Sequence, residues 1–122
     1  MINTYVVAVT TTGADASAVG SGYTALPIRG KLIDIYLDYG GTAPGTTDVT
    51  ITDEEIGHTL LAVADNATDG LFSPRSKPVD SANAAITNAH DKFSINGLIK
   101  VAVAGANALA PCVTAYIRVD ED

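Results

Sequence analysis

Apolar and polar residues alternate with period two along most of this chain. Within Lys31–Tyr39, Ile33, Ile35, Leu37 and Tyr39 fall on one face and Asp34, Tyr36 and Asp38 on the other. That is the pattern of a strand buried on one side. The alternation recurs in Asp48–Asp53 with Val49 and Ile51, and in Lys92–Ile95 with Phe93 and Ile95. It recurs again in Leu98–Ala104 with Ile99, Val101 and Val103, and in Pro111–Asp120 with Val113, Ala115, Ile117 and Val119. Thr4–Thr11, Tyr23–Ile28 and Thr59–Ala64 are further candidates, which makes about eight short strands.

Turn signals separate these runs: Gly13, Gly20-Ser-Gly22, Gly40-Gly41 with Pro44-Gly45, Asp69-Gly70, Asn96-Gly97, and Gly105-Ala-Asn107 before Pro111. Asn96-Gly97 lies between two alternating runs and predicts a tight hairpin, because a type I′ turn needs positive φ at both central residues. No amphipathic helical pattern of about 11 or more residues exists; Ser81–His90 is the best helix candidate, a turn or two of helix or simply a loop of small residues. Short strands at this spacing predict an all-β fold, a single antiparallel sandwich or jelly-roll-like domain over residues 1–122. Its core is expected to hold Ile33, Ile35, Leu37, Val49, Ile51, Leu61, Val63, Phe93, Ile95, Ile99, Val101, Val103, Val113, Ile117 and Val119.

Two segments break the clean alternation on their second face. Leu98, Ala102 and Ala104 oppose the core face of Leu98–Ala104, with Lys100 the one charge, and Cys112 and Tyr116 sit beside Thr114 and Arg118 in Pro111–Asp120. A solvated outer face would be more polar than this. Charged residues make up only 17% of the chain, against about 25% in ordinary domains. Both observations predict a surface covered by a partner, and self-association around these strands is the expected cover.

The net charge is −7. A chain so poor in Lys and Arg does not suit phosphate-driven nucleic-acid binding or an anionic membrane surface. No apolar run is long enough for a transmembrane helix, and the first residues lack the basic start of a signal peptide, so the chain is expected to act without export unless carried in a larger particle. With Cys112 alone, no intrachain disulfide forms.

Candidate chemistry is thin. His58 follows Asp53, Glu54 and Glu55, but no second His or Cys stands at ligand spacing, so a solvated acidic turn is expected. Asp65-Asn-Ala-Thr-Asp-Gly70 has part of a calcium loop, yet Ala67 occupies a ligand position; a turn capped by Asn66 and Asp69, with Gly70 at positive φ, fits better. Asn66-Ala-Thr68 is a glycosylation sequon that matters only on export. Neither a nucleophile elbow nor a P-loop is present, so no catalytic residue, no metal site and no cofactor is assigned, and the chain is read as a non-enzyme. The most distinctive stretch is Ser73-Pro-Arg-Ser-Lys-Pro78, where Arg75 and Lys77 sit between two prolines on an acidic chain. Prolines hold such a segment extended, ready to offer both cations to an acidic partner or to lie as a solvated loop. Arg29-Gly-Lys31 simply opens a strand.

Several stretches together resemble the small decoration, or cement, proteins of tailed-bacteriophage heads and related phage structural proteins. They are Gly30-Lys-Leu-Ile-Asp-Ile-Tyr-Leu-Asp38, Thr47-Asp-Val-Thr-Ile51, Thr68-Asp-Gly-Leu-Phe-Ser-Pro-Arg75 and the apolar hairpin from Leu98 to Val119, so the resemblance covers about Gly30 to Val119. It departs from the pattern at Gly70-Leu71-Phe72-Ser73-Pro74, which is less aromatic than expected and has Ser73 before the proline. The resemblance implies a β-sandwich that forms homo-oligomers, often trimers, assembles in the host cytoplasm, and sits on the outer surface of the virion across junctions of the major capsid protein. It implies no catalytic residue and no cofactor. On this view Arg75, Lys77, Phe72 and Tyr116 are the expected partner-binding residues. The alternative is a receptor- or carbohydrate-binding sandwich of a phage tail or fibre, to which the five tyrosines would supply flat surfaces. A small β-barrel enzyme is the weaker rival.

Overall fold

The computed structural model describes residues 1–77, 81–84, 86 and 90–122. Among the described residues nine strands follow in order: β1 (Ile2–Val9), β2 (Ala18–Tyr23), β3 (Ile28–Tyr39), β4 (Asp48–Asp53), β5 (His58–Val63), β6 (Gly70–Phe72), β7 (Ser94–Gly97), β8 (Ile99–Ala106) and β9 (Val113–Glu121). One sheet runs β1-β9-β3-β6, with β7 also pairing β3, and the other runs β2-β8-β4-β5. Every pairing is antiparallel. The two sheets enclose one core, so the fold is the expected β-sandwich. The accessible surface of 6585 Å² is close to the roughly 6,200 Å² that a chain of this mass should show. No helix forms among the described residues of Ser81–His90; Ala85 and residues 87–89 of that candidate lie outside them.

The two long central strands, β3 and β9, explain how the core is filled. In β3, Ile28 and Leu32 are fully buried, and then Ile35, Leu37 and Tyr39 are buried. The phase changes between them because the pairing with β9 shifts between Leu32 and Asp34. A bulge inserts one residue, Ile33, and turns the strand over by half a period. The expectation that Ile33 is core is therefore corrected: Leu32 takes the inward position and Ile33 is half-buried. A second bulge, between Ile51 and Thr52 of β4, lies where β5 has an extra residue. It buries Leu60, while Leu61, expected in the core, packs against its margin with Val63 and Phe93.

Two turn signals prove to be strand. Gly20-Ser-Gly22 lies within β2, paired with β8. A Cβ at Gly20 would stand 2.1 Å from the Thr10 carbonyl oxygen. Glycine is there so that the backbones of β2 and the end of β1 can touch, a use that looks like a turn in the sequence. Of Tyr23–Ile28, expected to be a strand, Tyr23 ends β2, Ile28 opens β3, and residues 24–27 link the two. Asn96-Gly97 does not close a hairpin. Its residues pair with Arg29 and Ile28 of β3, and Gly97, at φ 142°, releases the chain into β8 of the opposite sheet. The positive φ expected at Gly70 falls on Asp65 instead, at 51°.

Candidate functional site

The register of the larger sheet lines up four large side chains on its solvent face. Val6 opposes Tyr116, Tyr116 opposes Tyr36, and Tyr36 opposes Leu71. Their exposures are 57%, 37%, 39% and 61% in that order. Each sits at an outward position of an alternating strand, so a single apolar row crosses β1, β9, β3 and β6. At the usual strand spacing it is about 14 Å long. The rings of Tyr36 and Tyr116 stand 6.2 Å apart with their planes inclined by 52°, which gives a ridge rather than a flat platform.

Opposite charges flank the ridge. Two residues along β9 is Arg118, which donates from Nε to Asp34 Oδ1 at 2.7 Å and from Nη2 to Asp34 Oδ2. Asp34 is buried although it is on the outer side of the sheet, and this two-point contact holds its carboxyl below the usual carboxylate range, against the opposing effect of burial. Arg75 adds a smaller attraction. On the other side of the ridge, two residues along β3, is the exposed Asp38.

The Ser73–Lys77 segment is anchored at its arginine. Arg75 Nη1 donates to the Ile33 carbonyl at 2.9 Å and to the Pro74 carbonyl at 2.7 Å, so its side chain secures the segment over the β3 bulge. Ser76 forms a bridge with Asp91. Lys77 is exposed, and Pro78 lies outside the described residues. Phe72 is opposite Ile35 and packs against the core; the neighbouring Leu71 takes the outward place. Of the four expected partner-binding residues, Tyr116 alone is on the ridge. Val6, Tyr36 and Leu71 were missed because alternation shows which face a residue occupies and not which distant strand lies beside it.

The other candidates are structural. Asp69 Oδ1 accepts from the Tyr39 backbone at 2.7 Å, and Asn66 donates to Tyr39 Oη at 3.3 Å, so this loop caps the end of β3. Burial raises the Tyr39 phenol. His58 rests edge-on against Phe93, ring centroids 5.1 Å apart. Among the described residues no group of three or more His, Cys, Asp or Glu converges for a metal ion. Cys112, expected on the outer face, is fully buried before β9 begins. Its amide donates to the Val9 carbonyl at 2.8 Å and its carbonyl accepts from Gly40 at 2.7 Å, which turns the thiol inward; burial pushes it up. A hollow of about 370 Å³ on the smaller sheet is lined by Asp48, Val49, Thr50, Ala62, Val63, Ala64 and Asp65. Asp48 there accepts from the Asp65 amide at 2.9 Å. Of the two second faces expected to be covered, that of β9 carries Tyr116 of the ridge, while on that of β8 Lys100 and Ala102 are half-buried and the exposed Val19 and Tyr23 belong to the neighbouring β2; β8 and β9, expected to form one hairpin, lie in different sheets.

No family model matches the chain, and no curated protein does. Among solved structures, a variant of a family 29 carbohydrate-binding module is similar at 7% identity, with 98% of this chain and 81% of that chain covered and a TM-score of 0.38. Overlap at that level falls short of a shared fold, and nothing is carried from that module to this chain.

Proposed function

We propose that this chain is a non-enzymatic structural protein of a virus particle, one that binds the outer surface of a phage head and reinforces the junctions between capsomers. The observation that carries the reading is the Val6–Tyr116–Tyr36–Leu71 ridge. A row of exposed large side chains, with tyrosines at its centre and an arginine beside them, has the composition of a protein-association surface. The low share of charged residues and the resemblance to head-decoration proteins support the same reading. Function by contact area needs no reactive group. The acidic chain would meet the major capsid protein through its few cations, among which Lys77 is exposed on a segment pinned by Arg75.

The test is loading. Purified protein is mixed with undecorated heads of the phage that encodes it, and the heads are pelleted. The expected result is saturable co-sedimentation at a fixed number of copies per capsomer, with heads that withstand more heat, and weaker loading of Lys77→Glu at low salt. Absence of loading, together with a positive signal on a glycan array that Tyr36→Ala and Tyr116→Ala abolish, would replace this reading with carbohydrate binding.

A further inference from the structure

We propose that two copies of this chain pair face to face through the ridge, about a two-fold axis lying along the row. The inference rests on the reading of that face as the association surface and names its occupant as a second copy. The argument is the placement of charge. Arg118 lies on one side of the row and Asp38 on the other, each two residues from a ridge tyrosine on neighbouring strands. Successive outward positions are about 6.7 Å apart, so both charges are roughly equally far from the axis.

A half-turn about the row lays each flank over the opposite flank of the other molecule. Arg118 then meets the partner's Asp38, and Asp38 meets the partner's Arg118. The pattern is self-complementary, which is what an isologous interface demands. Arg118 is equipped for the second contact: Asp34 takes Nε and Nη2, and among the described residues Nη1 donates to no protein atom. Each ridge residue falls over its own counterpart, Val6 on Val6 at one end and Leu71 on Leu71 at the other. The tilted tyrosines interlock in such a pairing, whereas a sugar ring would find no flat seat. The pairing is dimeric, where the resemblance implies a trimer.

Because the axis places Val6 against itself, the test is a charge pair at one position. Val6→Lys and Val6→Glu each put like charges together across the axis, and an equimolar mixture puts opposite charges together. Sedimentation velocity at about 100 μM suffices, since a dissociation constant in the tens of micromolar still pairs most of the chain there. The expected result is a dimeric wild type, two monomeric variants and a dimeric mixture. Leu71→Lys and Leu71→Glu should repeat the pattern from the other end, which covers the case that a charge in β1 harms folding. A monomeric or trimeric wild type overturns the pairing, as does a mixture that stays monomeric beside a dimeric wild type. A wild type that loads onto heads yet sediments as a monomer overturns the pairing alone and leaves decoration standing. A wild type that pairs but loads nowhere supports the pairing and removes decoration.

Discussion

At the scale of single residues, the buried carboxylate of Asp34 explains the most. Asp34 sits outward on β3 but is covered, and it stays ionised because Arg118 grips both oxygens. Its carboxyl is held below the value it has in an unfolded chain. Between those two values the unfolded state binds more protons than the folded one, so stability rises with pH there. The contribution is complete above the ordinary aspartate range and is lost as pH falls through the lowered folded value. Thermal melts from acid to neutral pH should therefore show wild type losing stability below about pH 4. Arg118→Gln removes the grip, and its melting temperature should fall at neutral pH and depend less steeply on pH on the acid side. An acid slope unchanged in Arg118→Gln would place the sensitivity in other carboxylates.

At the scale of elements, alternation predicted faces well and failed at the bulges. Asp48–Asp53 was recovered to the residue as β4, and Val101, Val103, Val113, Ile117 and Val119 are buried as expected. Ile33 was misplaced because a bulge adds one residue to β3 and a strict period of two cannot absorb it. The sequence Leu32-Ile33 offers two apolar neighbours, and nothing local decides which faces inward; the partner strand β9 does. Glycine misled for a similar reason, since Gly20 serves a backbone contact with Thr10 that looks like a turn in one dimension. The ridge was half legible: alternation placed Tyr36 and Tyr116 outward, but their adjacency to each other, to Val6 and to Leu71 is a property of pairing between distant segments. The bulge has a measurable consequence. Leu32 is fully buried and Ile33 is not, so Leu32→Ala should cost about 2–5 kcal/mol and Ile33→Ala distinctly less. Urea unfolding of both variants ranks them, and an equal or reversed order would mean that β3 is not turned over at this point.

At the scale of the whole molecule, strands from both ends of the chain share one sheet: β1 pairs β9, and β9 pairs β3. Sequence-distant segments must all be in place before this sheet closes, which favours cooperative opening over local fraying. Cys112 lies where these three strands come together, bonded through its backbone to Val9 on one side and Gly40 on the other. Its thiol is fully buried and its ionisation is suppressed by that burial, and the thiolate is the reactive form. A thiol reagent at mildly alkaline pH should therefore label the folded protein only through opening. If the corner opens with the entire sandwich, the labelling rate should climb with urea along the same slope that governs global unfolding. Arg118→Gln, expected to lower stability, should raise that rate by the factor its melt implies, although it lies six residues along the chain from the thiol. A fast, urea-independent reaction would mean instead that the β1–β9 corner opens by itself, and the edge strand carrying Val6 would then be mobile relative to the rest of the ridge.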